Sequence, residues 1–183
     1  RNRRSRSRLN YFSNRLCNFF NRLGLRRRSF YLCSRLSLFL YNSALGTYAL
    51  TSNISGSHNT AFGWYAGNSS RTTLGNTSVG SQSSYSNVTG YYNTALGMDA
   101  LYLNNGGFSN SAVGYKAGLN LTTGNSNTFL GAFANTINGG ISTSTALGAG
   151  ALLAVSNSMV LGGTGADSVD IVTGTSTPWA KLS

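Results

Sequence analysis

Few residues in this sequence have the side chains that catalysis or metal binding requires. His58 is the only histidine, and it falls in a turn with no acid–base partner near it in the repeat. Asp167 and Asp170 could contact a calcium ion, but two carboxylates in a glycine-rich segment make a weak site. The glycine-rich stretch that begins at Gly162 lacks the lysine of a phosphate-binding loop. We therefore predict no catalytic residue, no metal site and no cofactor, and we expect that the chain is not an enzyme.

Aromatic side chains are the other candidates for binding chemistry, because an aromatic ring can stack on a sugar. The candidates are Trp64, Tyr65, Tyr91, Tyr92 and Tyr115. The same rings can pack on the surface of the fold or between chains, and we favour that interpretation.

A repeat of 17 residues dominates the chain, and each copy opens with Asn-Ser/Thr-Ala-aliphatic-Gly or a close variant. Its seven copies follow one another without insertion or deletion. They begin at Asn42, Asn59, Asn76, Asn93, Asn110, Asn127 and Ser144. Seventeen residues with several Gly, Asn and Ser are too few for two packed helices, so the repeat predicts short strands joined by turns.

Stacking these units gives the predicted fold, an all-β parallel β-solenoid or β-roll of 17-residue coils. Equivalent residues then lie about 4.8 Å apart along the axis, and backbone hydrogen bonds run between coils. The recurring glycine fits a turn or a close backbone approach, and the Asn can bond its equivalent in the next coil. The repeat-defining structural residues are Asn59, Gly63, Asn76, Gly80, Asn93, Ala95, Gly97, Asn110, Ala112, Gly114, Asn127, Gly131 and Gly148.

The motif has two faces, because side chains alternate along a strand. Ser/Thr and the aliphatic residue share one face, which we expect to line the interior of the coil. Asn, Ala and Gly share the other face, whose middle residue is small, as at Ala95 and Ala112. We expect this Ala column to pack against a neighbouring chain, which favours a homo-oligomer. At the C-terminal side we align a shortened last coil on Asn157, 13 residues after Ser144, with one extra residue before its glycine.

Basic charge is confined to an N-terminal tail. Eleven arginines lie within residues 1–35, and the rest of the chain sums to zero although the net charge is +11. Leu9, Phe12 and Leu16 follow helical spacing between arginines. Such a tail could be a helix that binds an anionic membrane or nucleic acid, an assembly helix, a disordered segment, a signal-like segment or untranslated upstream sequence. We divide the chain into an Arg-rich basic tail (1–41), a repeat domain (42–163) and a linker (164–183).

Two parts of the chain resemble known fibres. Asn93-Thr-Ala-Leu-Gly-Met-Asp-Ala-Leu-Tyr and the unit that follows from Asn110 resemble a repeat of phage tail fibres and bacterial surface fibres that end in an endosialidase-type chaperone domain. The repeat is also similar to the heads of trimeric autotransporter adhesins. The segment 174–182 resembles the junction after such repeats, although Val172 and Thr173 replace its Gly-Ile. The resemblance implies a homotrimer with further chain after residue 183.

These observations predict a structural or adhesive fibre segment of a bacterial surface protein or phage tail fibre, located outside the cell, on the cell surface or on a virion. Its expected partners are copies of the same chain in a trimer and a host-surface receptor or glycan. The alternative is a monomeric solenoid that binds a surface or a ligand such as ice or a glycan. Ice binding usually requires two aligned hydroxyl columns, and the repeat supplies one strict column.

Overall fold

In the computed structural model, which describes residues 41–163, every regular element is a β-strand. Eight strands form one parallel sheet in the order β1-β2-β3-β4-β5-β6-β8-β10, and β7 pairs with β9 in a second parallel sheet. The strands are β1 (Ser43–Leu45), β2 (Thr60–Phe62), β3 (Thr77–Val79), β4 (Thr94–Leu96), β5 (Ser111–Val113), β6 (Thr128–Leu130), β7 (Asn135–Thr136), β8 (Thr145–Leu147), β9 (Leu152–Leu153) and β10 (Met159–Leu161). Apart from Tyr41, the predicted basic tail lies outside the described residues, as does the predicted linker.

Each coil contributes one strand to the large sheet, and the pairing advances by one repeat at each step. Ser43 pairs with Thr60, and Thr60 pairs with Thr77. Hydrogen bonds run from coil to coil, as where the backbone N–H of Ser43 donates to the carbonyl of Asn59 at 2.8 Å. The prediction of a parallel β-solenoid is therefore confirmed, with about seven turns.

The predicted orientation of the strand faces is wrong. Ala95 and Ala112 have no exposed surface, and Asn59 is also buried, so the Asn and Ala positions lie inside the coil. The aliphatic position faces outward, with Leu45 53 % and Leu96 46 % exposed. The reason is space: a short coil closes around a thin interior, and hydrogen bonds to the Asn side chains offset the cost of burying them. The Ala column is core and cannot contact a neighbouring chain.

The buried asparagines form a ladder along the axis. The Oδ1 atom of Asn110 accepts a hydrogen bond from the backbone N–H of Asn127 at 2.9 Å. Its Nδ2 donates to the carbonyl of Gly124 in the same coil at 2.9 Å and to Oδ1 of Asn93 in the coil before at 3.1 Å. Where Ser144 replaces the asparagine, its hydroxyl accepts from the backbone N–H of Ser158 at 3.2 Å. Each amide therefore fixes its own coil and joins it to its neighbours.

The motif glycine is required by conformation and by space. Gly97 has a φ of 138°, a region that L side chains rarely adopt. A Cβ atom there would clash with the carbonyl oxygen of Gly114 in the next coil. Stacked glycines thus allow successive corners to approach one another.

A large side chain enters the interior where a nearby glycine leaves room. Phe129 occupies an Ala position and is fully buried. A Cβ atom on Gly118 would lie 2.9 Å from the Phe129 ring, so that glycine creates the space. Phe129 packs with Leu101 and Leu121 in the main apolar cluster, whereas a second cluster around Leu50 is small.

The last coil is shortened as expected, but its predicted alignment is wrong by one residue. Met159 pairs with Thr145, so Ser158 takes the position of Ser144 and lies 14 residues after it. No extra residue is then needed before the glycine. Asn157 instead forms the preceding corner, with a φ of 57°. Pairing of the apolar strand β10 with β8 sets this register, and the identity of one asparagine does not.

Candidate interaction surface

An apolar column runs along the outer face of the large sheet. We define it by the fourth motif position: Leu45, Phe62, Val79, Leu96, Val113, Leu130 and Leu147. The leucines and the phenylalanine are exposed, and the two valines are half-buried. With about 4.8 Å between coils, the apolar column is roughly 30 Å long. A contiguous exposed apolar strip of this kind is typical of an interaction site.

A column of hydroxyl side chains lies beside the apolar column on the same outward side of the strands. Its members are Ser43, Thr60, Thr77, Thr94, Ser111, Thr128 and Thr145. We call the two columns together the Thr/Leu face. Of the described residues, those with an ionisable group other than tyrosine are His58, Arg71, Asp99 and Lys116, and all four lie outside this face. An uncharged face can be covered by another surface without the cost of desolvating an ion.

Exposed apolar side chains continue beyond the motif glycine. Trp64, Met98 and Tyr115 occupy the sixth motif position, one residue after the glycine, and all three are exposed. Trp64 retains 50 % of its surface. The exposed apolar surface therefore covers the strand and extends into the corner that follows it.

Several of the aromatic residues predicted to contact sugars or to pack are engaged with other rings. Tyr65 stacks on Tyr48 with ring centroids 4.6 Å apart, and Tyr91 stacks on Phe108 at 4.8 Å. A stacked ring has one face covered by its neighbour, so these pairs stabilise one coil against the next. Trp64 packs at 79° to the Tyr65 ring, so it combines a fixed position with an accessible surface.

His58 lies on an exposed corner of the first coil. It stacks on Tyr41 at 4.9 Å, and its Nδ1 atom is 3.2 Å from Oγ of Ser57. An activated nucleophile would need a third group to orient the imidazole, and the described residues supply no carboxylate there. Across residues 41–163, no group of three or more His, Cys, Asp or Glu could hold a metal ion.

The repeat-defining residues predicted from the sequence lie in the interior and at the glycine corner. The asparagines form the ladder, Ala95 and Ala112 belong to the core, and the glycines allow the corners to stack. These residues build the coil, so the exposed side chains between them must make any external contact. We did not predict the exposure of the Thr/Leu face, although an apolar residue recurs at the fourth motif position in every copy.

Comparison with known proteins identifies no relative of this chain. No family model, no curated protein and no solved structure matches the chain. Between residues 41 and 163, the structure has no helix that is long and apolar enough to cross a membrane.

Proposed function

We propose that the repeat domain is a shaft segment of an extracellular fibre, with a structural or adhesive role on a bacterial surface or a phage tail. The observation that carries this proposal is the Thr/Leu face, an uncharged strip with a continuous apolar column. The solenoid behind it is bonded from coil to coil by backbone and Asn side-chain hydrogen bonds. Such a stack of coils is suited to hold a binding element at a distance from a surface.

The partner on the Thr/Leu face is a further copy of the same chain, and the resemblance to trimeric fibres favours three chains around one axis. Parallel copies present the same apolar column at the same axial spacing, so contacts formed at one coil recur at the next. Covering the remaining exposed half of each aliphatic side chain contributes about 1 kcal/mol, or several kcal/mol per chain over the whole column. Little charge desolvation opposes this gain.

Lysine substitutions on and off the Thr/Leu face test this assembly in the full 183-residue chain. We expect Leu96→Lys with Leu130→Lys to reduce the sedimentation coefficient to that of a monomer, because burial of the face would then require burial of two charges. The matched control is Ile54→Lys with Leu103→Lys, which changes two exposed apolar residues outside the face. The control should keep the sedimentation coefficient of the wild-type chain. Assembly that survives the face substitutions, with circular dichroism unchanged, would contradict the proposed interface.

The alternative function is a monomeric solenoid that binds a surface such as ice. The observation that favours it is the outward orientation of the hydroxyl column, with Thr94 and Thr128 exposed. A monomeric wild-type chain that also depresses the freezing point below the melting point of ice would support this alternative. A monomer without that activity would leave a glycan or another surface as the ligand.

A further inference from the structure

A strip of polar side chains crosses three successive coils at the corner after the motif glycine. Gln82, Asp99 and Lys116 occupy the seventh motif position, and we call them the polar strip. The backbone N–H of Gln82 donates to the carbonyl of Trp64 at 2.8 Å, and that of Lys116 donates to Met98 at 2.9 Å. Because the coils are in register, neighbouring side chains of the strip begin about 4.8 Å apart.

The polar strip has unused capacity for hydrogen bonds. Within the described part of the chain, neither the Asp99 carboxylate nor the Gln82 amide has a hydrogen-bond or ion-pair partner. The Lys116 ammonium lies 5.1 Å from the ring centroid of Tyr115 and forms no ion pair with Asp99 in this part of the chain. An amide, a carboxylate and an ammonium group therefore follow one another from coil to coil along one corner, and each can hydrogen-bond to a ligand.

Aromatic residues occur in the coils of the polar strip and in the coils next to it. The backbone N–H of Tyr102 donates to the carbonyl of Asp99 at 3.3 Å, so these two residues end the same turn. Tyr85 stacks on Tyr102 with centroids 5.1 Å apart. Further rings lie in the coil before the strip and in the coil after it, and we call the whole set the aromatic surround. The set is Trp64, Tyr65, Tyr85, Tyr102, Tyr115 and Phe133.

We propose that the polar strip and its aromatic surround bind a neutral oligosaccharide of about two or three sugar units. A sugar ring has an apolar C–H face and a rim of hydroxyl groups, which match an exposed ring flanked by hydrogen-bonding groups. Trp64 supplies the stacking surface, Asp99 accepts from hydroxyls, and Gln82 and Lys116 donate to them. The distance from the coil of Trp64 to that of Tyr115 is about 14 Å, which a trisaccharide can span.

The charges of the polar strip select for a neutral ligand. Asp99 repels an acidic sugar that Lys116 would attract, so the two effects oppose each other one coil apart. A neutral sugar can use both groups as hydrogen-bond partners without that conflict. This inference rests on the proposed adhesive function and names the class of ligand that it would use.

Saturation-transfer NMR on the full chain tests the site with three probes: cellotriose, chitotriose and galactotriose. We expect transfer to at least one probe, and we expect Trp64→Ala with Asp99→Asn to weaken its binding about tenfold or more. Asp99→Asn alone, which keeps the shape of the side chain, should weaken binding less than the pair does. The matched control is Tyr92→Ala with Arg71→Gln, which removes an exposed aromatic and a charge elsewhere, and it should change binding by less than about twofold.

Two results would overturn the site: no transfer to any of the three probes, or an equal loss in the strip variant and the control. The molar mass of the same samples separates this inference from the proposed fibre assembly. If the chain is an oligomer but binds no probe, the sugar site is wrong and the proposed assembly is supported. If the chain is a monomer and binds a probe through the polar strip, the proposed assembly is wrong and the sugar site is supported.

Discussion

Replacing Asn110 by alanine removes one rung of the buried ladder, and the structure identifies which groups lose a partner. The backbone N–H of Asn127 donates to Asn110 Oδ1 at 2.9 Å. The carbonyl of Gly124 accepts from Asn110 Nδ2 at 2.9 Å. Both groups would be left unsatisfied inside the coil. The Oδ1 atom of Asn93 keeps a donor, because the backbone N–H of residue 110 still reaches it at 2.9 Å.

The expected loss of stability follows from these two orphaned groups. An unsatisfied buried polar group costs about 1–3 kcal/mol, so Asn110→Ala should lower the free energy of unfolding by about 2–6 kcal/mol. That is a large share of the roughly 5–15 kcal/mol that stabilises a typical domain. Asn110→Ser should cost less, since the serine hydroxyl at Ser144 fills the same role and accepts from Ser158 at 3.2 Å.

Urea unfolding followed by far-ultraviolet circular dichroism measures these differences. Asn105→Ala is the matched control, because Asn105 is exposed and its side chain forms no hydrogen bond in the described part of the chain. That control should change the free energy of unfolding by less than about 0.5 kcal/mol. An Asn110→Ala variant as stable as Asn105→Ala would refute the assignment of the ladder as a main source of stability.

Two further predictions concern the backbone corners. Gly97→Ala should lower the free energy of unfolding by about 3 kcal/mol or more, since φ is 138° and the new Cβ would meet the Gly114 carbonyl; a urea midpoint equal to wild type would contradict this. Thr143→Gly should raise stability by about 1 kcal/mol, because threonine is held there at a φ of 58°, and a lower thermal midpoint would show that the corner is not strained.

The period of the repeat and its glycine were sufficient to predict the parallel solenoid, because only a short stacked coil accommodates 17 residues of this composition. Alternation along the strand also groups Asn with Ala and Thr with the aliphatic residue. This alternation does not indicate which of the two groups lies in the interior of the coil. The general preference for burying large apolar side chains gave the wrong answer, since Leu96 is exposed and Asn93 has no exposed surface.

The interaction surface was harder to predict than the fold for a related reason. The recurrence of asparagine in six of the seven copies was the signal of a buried ladder, since a solvated asparagine has no need to recur. The polar strip had no such signal, because Gln82, Asp99 and Lys116 share no residue type. Their proximity becomes apparent once the coils are stacked in register.

The molar mass of the full chain in solution tests the central claim most directly. We predict that light scattering over a range of concentrations gives a molar mass three times the chain mass of 19.3 kDa, and that this value does not change with concentration. That result would support burial of the Thr/Leu face between identical chains. A mass of 19.3 kDa at every concentration would contradict the proposed assembly, because the apolar column would then remain exposed in a monomer.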